Sequence, residues 1–287
     1  MVKVLFRALL FALLIPAAQA ACPPAGYTPE QVRGAVPGPA LQPLALELLD
    51  CLSNPNPALR DDLAFEQLST WIRAKSVDTV ALQIMRQRLL PALRSKDDAG
   101  FTAPFAALAL SEVARADRIE AFLSPAERAD LLEQAANYLS TVTDRRGFDA
   151  VGGWRHGVAH GADLLMQLSL NSELDANQQQ RILQAVATQV LADGKHVYVF
   201  GEGQRLARPA LFAALRSDID SAAWAAWLTS TLAPLASPGP LDAARLTRLH
   251  NAREFLWPLY FSIAEMKDEA ARQRLLPAVA QALKSLP

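Results

Sequence analysis

The chain has 287 residues, of which 51% are hydrophobic and 20% charged, and a formal net charge of −1. That length and apolar content can bury a substantial core, as one large domain or two small ones. A near-neutral chain without a long basic run excludes the electrostatic footprint that nucleic acid binding requires.

Residues 1–20 predict a cleavable secretory signal. Lys3 and Arg7 make a positive start, residues 5–15 are almost wholly apolar, and Pro16 breaks any helix before the small residues of Ala18-Gln19-Ala20. The apolar run is too short for a spanning helix, which needs about twenty residues. Cys22 raises the alternative of a lipid anchor, against which Gln19 stands where such signals want an aliphatic residue. The expected plan is a signal over 1–20 and one α-helical domain over 21–287, periplasmic or secreted. No later segment approaches about eighteen uninterrupted apolar residues, so no stable membrane insertion is expected after cleavage. Cys22 and Cys51 are the two cysteines. An even count in an oxidising compartment predicts a disulfide between them, tethering the Pro- and Gly-rich segment 21–40 to the first long helix.

Beyond that segment a 3.6-residue period dominates, and punctuation places helices over about 41–52, 56–74, 78–93, 101–118 and 124–143. Asp78 reads as an N-cap, and Ser124-Pro125-Ala126-Glu127 combines a cap, a first-turn proline and a first-turn acid. Further helices are expected over about 154–169, 175–191, 202–216, 221–232, 242–263 and 268–285, with Pro258 kinking an apolar core stripe around residues 255–260. The one compact β-like run, His196-Val197-Tyr198-Val199-Phe200, is too isolated to build a sheet. Helices of this length on short connectors favour antiparallel neighbours. The expected fold is all-α: stacked antiparallel helical hairpins, as an irregular α/α superhelix or an α/α barrel.

Candidate chemistry concentrates in Gly152-Gly153-Trp154-Arg155-His156-Gly157-Val158-Ala159-His160-Gly161-Ala162-Asp163, which holds two of four histidines. On one helix, positions i, i+4 and i+7 lie within about 60° of each other, so His156, His160 and Asp163 would share a face, continued by Gln167. Two imidazoles at this spacing can hold one divalent metal with Asp163 as ligand or orienting group. Nothing in the sequence requires a cofactor, and Gly157 replaces the glutamate that a zincin places after its first histidine. Without a metal, the two rings could serve as general acid and base. The plainer alternative is a polar face turned to solvent or bonded to nearby carbonyls. Gly157 and Gly161 suggest a groove for another helix or a ligand.

Three further clusters accompany this one. Asp144 and Arg146, in the charged loop 144–149, suit a rim that binds a polar ligand, or a local ion-pair network. Glu202 and Arg205 could pair with each other or face the cavity of His160. Trp154, His250 and Asn251 complete the binding candidates. There is no phosphate loop, nucleophile elbow or Cys-x-x-Cys pair.

These residues carry a resemblance. The stretches 59–65, 104–112, 144–148 and 201–206 resemble a bacterial all-helical family known only as a domain of unknown function, together with the Gly-Trp-x-His-x-x-Ala-His-x-Ala-Asp pattern of residues 153–163. The resemblance implies an α-helical domain and brings no activity, substrate or cofactor. Two functions are therefore weighed. One is a periplasmic scaffold binding a peptide, glycan or protein partner. The other is a cell-envelope hydrolase or lyase built on His156, His160 and Asp163.

Overall fold

Caps legible in the sequence start most helices of the computed structural model, which describes residues 21–216, 219–236 and 239–286. The expected signal, residues 1–20, lies outside them. The chain begins with short α1 (Pro29–Arg33), boxed by Thr28 and Gln31, followed by α2 (Leu41–Leu48) and a 3-10 turn, Leu49–Ser53. Asn56 caps α3 (Pro57–Leu59), which widens into a π-helical turn, Arg60–Phe65, before α4 (Glu66–Arg73). Asp78 caps α5 (Thr79–Ala92) through the amide of Ala81 at 2.8 Å, and α6 is Thr102–Ile119. Ser124 and Glu127 box the start of α7 (Pro125–Thr141). After β1 (Phe148–Asp149) and β2 (Gly153–Trp154) come α8 (Gly157–Ser169), α9 (Ala176–Val190) and α10 (Glu202–Leu215). The chain closes with α11 (Ser221–Ala236), α12 (Ala243–Ala264) and α13 (Glu269–Ser285).

Helix makes up 69% of the described residues, and the sheet found among them is one antiparallel pair with Phe148 opposite Trp154, so the fold is all-α. The helices pack as two rows. In one row α4, α6, α8, α10 and α12 each lie against the next; in the other, α7, α9, α11 and α13 do so. The hairpin pairs α5/α6, α7/α8, α9/α10 and α12/α13 join the rows. No extensive contact links the first helices to α12 or α13 among the described residues, which makes the stack an open superhelix rather than a closed barrel. A single apolar core runs through it from Val32 to Ala282. The Cys22–Cys51 disulfide is formed, and it ties the N-terminal segment to the turn after α2.

Three expectations need correction. The helix expected from residue 154 starts at Gly157, because residues 147–156 form a hairpin whose positive-φ Gly153 lies against Pro57 and Arg60. Its φ of 71° favours glycine, and a Cβ there would also meet Pro57 tightly, at 3.0 Å. The segment 56–74 is not one regular helix but passes through the π turn at Arg60–Phe65. Of the stripe around Pro258, Phe255, Leu256 and Leu259 are core, whereas Trp257 is exposed. The groove of Gly157 and Gly161, expected to take another helix or a ligand, takes a helix: Tyr138 and Leu139 of α7 lie against the two glycines.

Candidate functional site

Two connections lie side by side over the N-terminal ends of α6, α8 and α10: residues 142–156, between α7 and α8, and residues 191–201, between α9 and α10. They are joined where Gly147 abuts the Phe200 ring, where Arg145 meets Asp193, and where His156 bonds to Phe200. His156 sits at the N-cap of α8 in the left-handed region, with φ of 55°. This conformation swings its ring out of helical register, so the expected shared face survives only for His160 and Asp163, one turn apart on α8.

The three side chains nevertheless come together with Glu202 and Arg205 of α10. His156 and His160 meet edge to face, with ring centroids 5.8 Å apart, and His160 lies edge-on to Phe105 at 5.3 Å. His156 Nε2–H donates to the Phe200 carbonyl (3.2 Å), and His160 Nδ1–H donates to the Pro104 carbonyl (3.2 Å), the carbonyl partner fixing the tautomer in each ring. Glu202 is 1% exposed; its Oε2 accepts from the Phe200 amide at 2.9 Å, while Oε1 has no hydrogen bond and lies 3.7 Å from His156 Nε2. Arg205 pairs with Asp163 rather than with Glu202.

Burial sets the electrostatics. It holds His156 down at about 4, helped by the Arg205 charge, and His160 at about 3, helped by His156 and Arg205. Burial also raises the Asp163 carboxyl, outweighing the attraction of Arg205 and Arg208. Both rings are therefore neutral at neutral pH, and rings this acidic are weak general bases, since an effective base titrates near the working pH. The proposed metal set does not form. Each ring uses one nitrogen on a carbonyl and Asp163 turns to Arg205; among the described residues no group of three or more His, Cys, Asp or Glu side chains is placed to hold a metal ion.

The remaining candidates are distributed around this cluster. Trp154 stacks on His156 (centroids 4.6 Å, 22° between planes) and stays 38% exposed. It also touches Phe148 and Phe200, at 5.0 and 5.7 Å, and both of those rings are exposed as well. The result is an aromatic rim over a buried polar floor. Asp144 and Arg146 pair with each other, which holds their own loop. Asp144 also lines a groove of about 670 Å³ with Arg94, Asp97, Pro104 and Tyr138, beside the histidines. His250 and Asn251 lie at the far side, where they bond to the backbone of residues 196–198. Gln167 accepts from Arg118 and takes no part in the site.

Sequence reasoning missed Arg60 as a site residue. It is fully buried on the π turn, and its guanidinium lies 3.8 Å from the Phe101 ring centroid. It donates to the carbonyls of Asn54 (2.9 Å), Gly152 (2.8 Å) and Trp154 (3.4 Å), tying the hairpin to the N-terminal helices, and pairs with Asp61. The only local hint was a charged residue in an otherwise helical stretch, which reads as a solvated position. Phe105 and Phe200 were also missed as site residues, because an aromatic residue in an apolar run reads simply as core.

A family described as "Protein of unknown function (DUF2785)" matches residues 89–261. The chain belongs to this family. The match takes in α6 to α11, most of α12 and every residue of the cluster except Arg60. No curated protein and no solved structure matches the chain.

Proposed function

We propose that this family member is an exported binding protein, with residues 21–287 acting as one domain, that presents the rim of Phe148, Trp154 and Phe200 to a cell-envelope partner. One observation carries the reading: the buried polar side chains beneath the rim use their polar atoms on the rim's own backbone. His156 and Glu202 hold Phe200, and Arg60 holds Gly152 and Trp154. Polar groups arranged in this way make exposed aromatic rings rigid, which lowers the entropy lost on binding. Contiguous exposed apolar surface with a polar surround is characteristic of interaction sites. Export is supported by the three-part N-terminus and by the Cys22–Cys51 disulfide. The hydrolase or lyase alternative is disfavoured because both rings titrate far below neutral pH.

The test is calorimetric titration of the mature protein with a panel of cell-wall oligosaccharides, muropeptides and synthetic peptides. At least one class should bind saturably. Trp154→Ala should weaken it roughly tenfold or more, as expected of an aromatic anchor, while leaving the melting temperature within a few degrees. Turnover of a panel member that His160→Gln abolishes, or binding indifferent to Trp154→Ala, would sink the proposal.

A further inference from the structure

Beside the rim, residues 196–199 belong to no helix or strand, and the hydrogen bonds of residues 196, 198 and 200 alternate along the segment as they do along one edge of an extended chain. Asn251 spans two positions: its Nδ2 donates to the His196 carbonyl (2.9 Å) and its Oδ1 accepts from the Tyr198 amide (2.9 Å). His250 Nε2 bonds to the Tyr198 carbonyl (3.0 Å), Glu202 accepts from the Phe200 amide (2.9 Å), and His156 donates to the Phe200 carbonyl (3.2 Å). Residues 196, 198 and 200 thus point their backbone groups inward, where side chains take the place of a neighbouring strand. In an extended chain the alternate residues point the other way. The N–H and C=O groups of Val197 and Val199 take part in no hydrogen bond among the described residues. Their side chains are exposed, Val199 at 64%, while Tyr198 between them is buried.

We propose that the outer edge of residues 197–199 receives an extended peptide segment from a protein partner by strand addition, which assumes the binding reading given above. A row of unpaired amides and carbonyls is complemented most directly by another extended backbone. The side chains define the chemistry of that peptide. Val197, Val199 and the neighbouring Phe200 and Trp154 suit apolar, β-branched residues at alternate positions. Exposed Lys195 stands at the start of the edge and is paired with no carboxylate among the described residues. Its charge calls for an acidic residue at the corresponding end of the peptide.

The experiment is selection of random twelve-residue peptides displayed against the full mature protein, then titration of the synthetic winners with amide hydrogen exchange as the readout. In the free protein the amides of Val197 and Val199 should exchange fast and those of Tyr198 and Phe200 slowly. Bound peptide should protect Val197 and Val199. Selected sequences should alternate apolar residues and carry an acid near one end, a preference that Lys195→Glu removes. Val199→Pro deletes one outward donor and should weaken binding roughly tenfold. N-methylation of the peptide at alternate residues tests the same bonds without altering the protein. Peptides that bind without protecting Val197 and Val199, but are weakened by Trp154→Ala, overturn strand addition and leave the rim intact. Saccharide binding at Trp154 with no peptide selected has the same meaning. Protection of the two valines on self-association would make the occupant a second copy and also overturn the proposal. Strand addition stands without the rim if Val199→Pro weakens peptide binding and Trp154→Ala does not.

Discussion

His156 and Glu202 hold the same residue, Phe200, from its two backbone ends. The imidazole donates to its carbonyl at 3.2 Å, the carboxylate accepts from its amide at 2.9 Å, and the free Glu202 oxygen lies 3.7 Å from the ring. Phe200 is the junction between the aromatic rim and the segment 196–200. A single buried pair therefore positions both exposed surfaces.

Removing Glu202 should accordingly loosen this junction. Glu202→Ala is expected to destabilise the protein by about 2–3 kcal/mol, the range for losing a hydrogen bond to a charged group together with buried packing. Urea unfolding checks the magnitude. Amide exchange should in addition show faster opening at Tyr198 and Phe200 than at the core of α10.

His160 is 6% exposed between Phe105 and His156, so truncating it leaves both a cavity and an unmet Pro104 carbonyl. His160→Ala should cost about 2–4 kcal/mol in urea unfolding, comparable with other large-to-small substitutions in cores. Wild-type stability in this variant would show that the ring is not part of the packing.

Acid should weaken the fold through the same two rings. Their folded-state values, about 4 for His156 and about 3 for His160, lie below the ordinary 6.5, so the unfolded chain binds more protons between these limits. Their stabilisation is fully present above pH 6.5 and is lost as the pH falls through the folded-state values. Between pH 6.5 and 5, above most carboxylate titration, each ring should lower the unfolding free energy by roughly 1.4 kcal/mol per pH unit. Asp163, raised by burial, acts in the opposite direction where it titrates. Urea midpoints measured across this range should slope, and the slope should shrink in His156→Gln.

Gly203 marks the close approach of α10 to α12. A Cβ there would fall 2.6 Å from the Glu254 carbonyl carbon, a backbone atom that cannot rotate away. Gly203→Ala should destabilise by about 1–3 kcal/mol through overpacking, although alanine is the better helix former. A thermal melt unchanged from the wild type would contradict the contact.

Reduction should release the N-terminal segment. Loss of the Cys22–Cys51 bond, whose cysteines are 29 positions apart in sequence, should cost at most about 3–4 kcal/mol. Unfolding with and without reductant measures that loss. Non-reducing peptide mapping of protein recovered from the periplasm should find the linked pair and Ala21 as the first residue.

Helix existence, most caps and the disulfide were determined by the sequence itself, because each rests on neighbouring residues or on a count of two. Asp78, Ser124-Glu127, Asp175 and Asp242 satisfy amides within their own first turns, and the apolar period needs only one helix to be legible. The gathering of His156, His160 and Asp163 was suggested by their helical spacing, with Glu202 and Arg205 facing them as one of two alternatives, but its meaning was not. One left-handed residue, His156, broke the helical register on which the angular argument relied. Only the tertiary structure decided what those polar atoms bond to, because the partners are distant along the chain: His156 and Phe200 are 44 residues apart, and Arg60 and Gly152 are 92 apart. The open edge at Val197 and Val199 belongs to the same class. A β-like run can be read from its residues, but which of its two edges is paired depends on Asn251, His250, Glu202 and His156, which other elements bring to it.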